Sequence, residues 1–185
     1  MQIDIFIKTT EQKILSLFAM NPDRPFYGRE ISKKLRISPG AVHAALISLE
    51  KRGILHSQHV GKTKLYRTEA LSPIIRSFKV LNMLLVLEPL IEAIRGISRR
   101  VILFGSYATG SFAASSDLDL LVVSGEKEII SRKIDSFKRK SGLDIRPIIK
   151  DQVEWMKLER GSPEFFDELR CGITLWEKPV GESGF

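Results

Sequence analysis

The chain has 185 residues, 43% of them hydrophobic and 28% charged, with a net charge of +7. That is enough for one compact domain or two small ones, and the composition is that of a water-soluble globular chain. Its single cysteine, Cys171, excludes an internal disulfide and points to a reducing cytoplasmic setting, with Cys171 read as a small buried hydrophobe. The start, Met1-Gln2-Ile3-Asp4, lacks the pattern of a signal peptide. The most apolar stretch, Val80 to Ile94, is interrupted by Glu88, Pro89 and Glu92 and is too short to cross a bilayer, so no membrane partner is expected. Residues 1–80 hold 14 Lys+Arg and 6 Asp+Glu, whereas residues 81–185 hold 15 and 16, so the whole basic surplus lies in the first half. This asymmetry suggests two modules, the first facing a polyanion.

In chain order, Thr10 is placed to cap a helix through Met20, with Ile14, Leu15, Leu17 and Phe18 inward. Asn21 to Pro25 reads as a turn and Gly28 to Leu35 as a short helix. Ser38-Pro39, a capping hydroxyl followed by proline, starts a third helix that buries Val42, Ala45, Leu46 and Leu49 and stops near Arg52 before Gly53. Leu55–Val60 and Thr63–Thr68 form a hairpin around Gly61-Lys62. Gly61-Lys62-Thr63 is no phosphate loop, because His56 stands where the earlier glycine belongs. His56 and His59 read as strand-surface residues rather than metal ligands.

Three helices and then a hairpin resemble a winged helix over about residues 10–69. The segments that carry the resemblance are Ile31-Ser32-Lys33-Lys34-Leu35-Arg36-Ile37-Ser38, Leu49-Glu50-Lys51-Arg52-Gly53-Ile54-Leu55 and the basic Gly61-Lys62-Thr63-Lys64-Leu65-Tyr66-Arg67. The resemblance implies binding to double-stranded DNA. Arg29, Lys33, Lys34, Arg36, Arg52, Lys62, Lys64 and Arg67 would contact phosphates, while Ser38, His43 and Lys51 would reach base edges. A winged helix used for protein contact is the alternative reading.

Ser72-Pro73 starts a further helix rich in apolar residues, with Pro89 expected to kink or restart it. Residues 73–96 are read as a linker and candidate homodimer surface. The expected pattern then changes to strand Val101–Phe104, a short helix or turn, strand Asp117–Val123, helix Glu126–Lys140, strand Leu143–Ile149, and helices near Asp151–Arg160 and Pro163–Arg170. Pro179 to Phe185 reads as a tail.

The chemistry-bearing segment runs from Val101 to Val123. An apolar strand delivers Gly105-Ser106, and after ten intervening residues Asp117-Leu118-Asp119 opens a second apolar strand. Residues i and i+2 of a strand share a face, so the two carboxylates lie side by side and call for a cation; hard oxygen donors suit Mg²⁺. Gly105 allows close approach to a phosphate, and Ser106 with a helix N-terminus adds donors.

This combination resembles the minimal nucleotidyltransferases of the polymerase-beta-like superfamily, over about residues 98–150. The two resemblances together imply an α+β fold: an N-terminal winged helix in residues 1–72, and in residues 97–185 a small α/β domain with a mixed sheet. It implies transfer of a nucleoside monophosphate from a nucleoside triphosphate, taken to be ATP, to a hydroxyl of a protein or small molecule. Gly105 and Ser106 would bind phosphate, while Asp117, Asp119 and the strand residue Asp144 would hold Mg²⁺ or Mn²⁺ and serve catalysis. The sequence departs from many such enzymes at Thr109, where they carry arginine. No Lys or Arg falls between Arg100 and Asp117, so phosphate binding would draw on distant cations such as Arg146 or Lys150. The resemblance also suggests a partner toxin protein as acceptor. From another class, the alternative is a transcription regulator whose transferase fold only senses nucleotide.

Overall fold

A computed structural model describes residues 6–21, 24–69, 72–113 and 115–179. The expected features at Met1–Asp4, at Pro22-Asp23 in the first turn and at Val180–Phe185 lie outside them. The fold is α+β and divides into two compact units, residues 1–85 with 110–115, and residues 86–109 with 116–185.

The first unit begins with α1 (Thr10–Ala19), capped by Thr9 rather than Thr10: Thr9 and Gln12 satisfy each other's backbone N–H groups in a capping box. The helices α2 (Gly28–Leu35) and α3 (Pro39–Lys51) follow, the latter capped by the Ser38 hydroxyl. The hairpin strands β2 (Leu55–Val60) and β3 (Thr63–Thr68) occupy the expected residues, and Gly61 at φ +59° makes the turn. One strand of this unit was not legible in the sequence. The two-residue β1 (Phe26–Tyr27) pairs with β3, giving the antiparallel order β1-β3-β2. Ile14, Phe18, Phe26, Ile31, Val42, Leu46, Leu49 and Leu55 form the core, with Phe18 and Phe26 edge to face at 5.3 Å.

Helix α4 (Pro73–Ile94) continues through Pro89, so the helix does not restart there. Proline removes one backbone hydrogen bond, and the burial of Leu87, Leu90 and Ile94 on the surrounding turns offsets that loss.

The second unit is built on a four-stranded sheet of order β6-β5-β4-β7. Its strands are β4 (Arg100–Phe104), β5 (Leu118–Val123), β6 (Ile145–Lys150) and β7 (Ile173–Glu177). β5 and β6 run parallel while the other pairs are antiparallel, so the sheet is mixed as expected. Every residue of β5 except Asp119 is buried, the near-continuous apolar pattern of a strand covered on both faces. On one face Ile102, Phe104, Leu121 and Val123 pack with Trp155 and Leu169 of α7 (Gln152–Gly161) and α8 (Pro163–Arg170). The helix α6 (Lys127–Ser141) buries Ile130 and Ile134 and ends at Gly142. Two expectations change here. Asp144 lies in the loop before β6 rather than on the strand, and Cys171 is exposed at the turn after α8. No helix among the described residues is long and apolar enough to cross a membrane.

Candidate active site

Strand β4 ends at Phe104, and Gly105 opens the five-residue helix α5 (Gly105–Thr109). At one turn long, α5 is the short helix or turn expected there, and it carries little dipole. Gly105 has φ +66°, and a Cβ there would stand 2.6 Å from Asp119 Oδ2. Both constraints demand glycine: an L side chain disfavours this backbone, and the Asp119 carboxyl fills the space a Cβ needs. Ser106 follows, half-buried, at the start of the turn.

Asp119 sits beside Phe104 in the β4–β5 register. Burial raises its carboxyl above the ordinary range; the charge of Asp117 adds to the rise and that of Arg146 opposes it. Asp117 immediately precedes β5, with its carboxylate 2.6 Å from Arg146 Nη2. Arg146 is thus not a distant cation. It stands opposite Asp119 on the adjacent parallel strand.

Asp144 reaches the same region from the loop. Its carbonyl accepts from the Leu118 N–H at 2.8 Å, which ties the entrances of β5 and β6 together. Its side chain is exposed and bonded to Lys138 Nζ at 3.3 Å. That hydrogen bond, then one with Asp117, holds the Asp144 carboxyl below the usual range. The Tyr107 hydroxyl donates to the Ser116 carbonyl at 3.3 Å; burial, then the charges of Asp117 and Asp144, raises its pKa. Sequence reasoning missed Lys138 and Tyr107, because both act through contacts between separate elements.

The fold therefore gathers Gly105, Ser106, Asp117, Asp119 and Asp144 at one end of the sheet. Among the described residues no three His, Cys, Asp or Glu side chains stand close enough together to hold a metal ion. The donors fit a divalent cation chemically: all are hard carboxylate oxygens, and Asp117 and Asp144 are each already held against a cationic side chain.

Residues 88–173 match the nucleotidyltransferase domain family. The matched stretch contains all five of the gathered residues. No curated protein matches the chain. A solved structure from Sulfolobus solfataricus, provisionally named a nucleotidyltransferase, is similar at 23% identity with a TM-score of 0.39, over 63% of this chain and 95% of that one.

The residues expected to meet DNA lie in the first unit. Lys33, Lys34, Arg36, Ser38, His43, Lys51, Arg52, Lys62 and Arg67 are exposed on α2, α3, the intervening turn and the hairpin. Lys64 is only partly exposed and pairs with Glu50 at 3.3 Å. Hydrogen bonding from Ser57, followed by Lys64, lowers the Glu50 carboxyl. A groove of about 1110 Å³ lies between the helices and the hairpin, lined in part by Tyr27, Arg29, Lys33, His43, Lys64 and Tyr66.

Proposed function

We propose that the chain is a metal-dependent nucleotidyltransferase that moves a nucleoside monophosphate from a nucleoside triphosphate, taken to be ATP, to a hydroxyl acceptor. The observation that carries this reading is the fit between Gly105 and Asp119: the glycine at the end of β4 gives the second carboxylate of the Asp-x-Asp pair its room. The family match over residues 88–173 supports nucleotidyl transfer in general terms.

In this reading Asp117 and Asp119, joined by Asp144, would hold Mg²⁺ or Mn²⁺, which supplies Lewis-acid charge at the triphosphate. The Gly105 backbone and the Ser106 hydroxyl receive phosphate oxygens. As the acceptor oxygen bonds to the α-phosphorus and pyrophosphate leaves, the acceptor's proton passes to a carboxylate oxygen. Asp144 is the assigned recipient. While paired with Lys138 it is a weak base, so it serves better once Lys138 turns away.

The first unit is proposed to be a winged helix that binds double-stranded DNA. Support comes from the order of three helices and a hairpin, and from the exposure of Ser38, His43, Lys51, Lys62 and Arg67. A protein acceptor such as a toxin, and a homodimer through α4, belong to the same proposal. The sensor alternative has one observation in its favour, the cations already resting on two of the three carboxylates.

The test is triphosphate binding with and without Mg²⁺, in the native chain and in Asp117→Asn/Asp119→Asn. Binding that needs metal and vanishes in the double variant is expected. Metal-independent binding that survives both changes would end the reading.

A further inference from the structure

A triphosphate brings about four negative charges, and the chain offers no Lys or Arg from residue 101 to residue 116, the whole span between the two halves of the site. A cation must come from another element. Arg146 is placed to supply it. It enters from β6, in register with Asp119, and its guanidinium rests on Asp117 at 2.6 Å.

That contact sets up a competition. A guanidinium resting on Asp117 already neutralises that carboxylate and repels a divalent ion brought to it, so the two cations compete for its charge. The Arg146 side chain is 69% exposed, so packing does not fix its head group in place. Arginine binds phosphate oxygens through a two-pronged fork as readily as it binds carboxylate.

We infer that Arg146 is an exchangeable counterion: it neutralises Asp117 in the metal-free protein, and on metal entry turns to bind the triphosphate. This rests on the nucleotidyltransferase reading and names the residue of that site that grips the phosphates. Arg146 therefore opposes metal binding in the absence of nucleotide and favours nucleotide binding once metal is present. Those effects have opposite signs. A structural role alone would weaken both together.

The experiment measures two affinities of the full-length chain: Mn²⁺ alone, by loss of the free-ion resonance signal, and a non-hydrolysable ATP analogue at saturating Mn²⁺. Arg146→Met should bind Mn²⁺ alone up to about fivefold more tightly, the scale of an exposed ion pair. The same variant should bind the analogue at least about tenfold more weakly, the scale of a hydrogen bond to a charged group. Arg146→Lys keeps the charge but loses the fork. It should leave Mn²⁺ affinity near the native value and analogue affinity between the other two. If Arg146→Met shifts both affinities the same way, or neither, the inference is overturned while the function proposed above stands. If the native chain binds neither Mn²⁺ nor the analogue, that function fails and the inference with it.

Discussion

Gly105→Ala separates the two reasons for glycine at the end of β4. The first is the backbone: at φ +66° an alanine costs about 1–2 kcal/mol. The second is the carboxylate: a Cβ 2.6 Å from Asp119 Oδ2 must push it back by about 0.8 Å to reach ordinary contact. A shift of about 1 Å in a reacting constellation lowers rate by about 10²-fold. Gly53→Ala is the matched control. Gly53 has φ +70°, but a Cβ there meets nothing within 4 Å. Both variants should lower the thermal midpoint by a few degrees. Only Gly105→Ala should lose metal-dependent triphosphate binding and about 10²-fold in transfer. Thermal melts, metal–nucleotide titration and a labelled-nucleotide transfer assay read the three quantities. Native-level transfer by Gly105→Ala, or an equal loss in Gly53→Ala, would refute the reasoning.

Asp144→Asn should abolish transfer and largely preserve triphosphate binding; a fully active variant would remove Asp144 from the site. Asp119→Asn should raise the thermal midpoint at neutral pH. Its carboxyl has a raised folded pKa, so ionising it in the fold carries a cost that is fully present above that pKa and fades as pH falls through it; a midpoint unchanged at pH 7 would contradict this. Duplex DNA affinity should fall with salt at a log–log slope of about −0.9 per phosphate contacted. Lys62→Ala/Lys64→Ala should flatten that slope by nearer one unit than two, because Lys64 is held by Glu50. His43→Ala should weaken binding only at a preferred sequence, and equal loss on random duplexes would deny it a base-reading role.

The parts of the fold legible in the sequence are those set by local rules. Ser38-Pro39 marks the start of α3, and Gly61 fixes the hairpin with its strands at the expected residues. The two apolar strands flanking the segment from Gly105 to Asp117 lie close to the residues expected, at β4 and β5. Features held by tertiary partners were not legible. β1 is two residues long and exists because β3 offers it an edge. β7 follows a helix closely and shows no clean alternation; it is held by pairing with β4, by an ion pair between Arg100 and Glu177 and by the Trp176 indole N–H donating to the Ser98 carbonyl. Asp144 reads as a strand residue because apolar neighbours flank it, yet the ladder starts one residue later. The partners of the carboxylates, Arg146 and Lys138, come from β6 and α6, and no spacing rule connects them to Asp117 or Asp144.

Transfer itself tests the central claim most directly. The full-length chain is incubated with α-labelled nucleoside triphosphates, Mg²⁺ and candidate protein and small-molecule hydroxyl acceptors, beside Asp117→Asn/Asp119→Asn. Covalent label on an acceptor is expected from the native chain in the presence of metal, with pyrophosphate released in equal amount, and none from the double variant. Equal labelling by the double variant, or no labelling of any acceptor by a native chain that binds both metal and triphosphate, would contradict it.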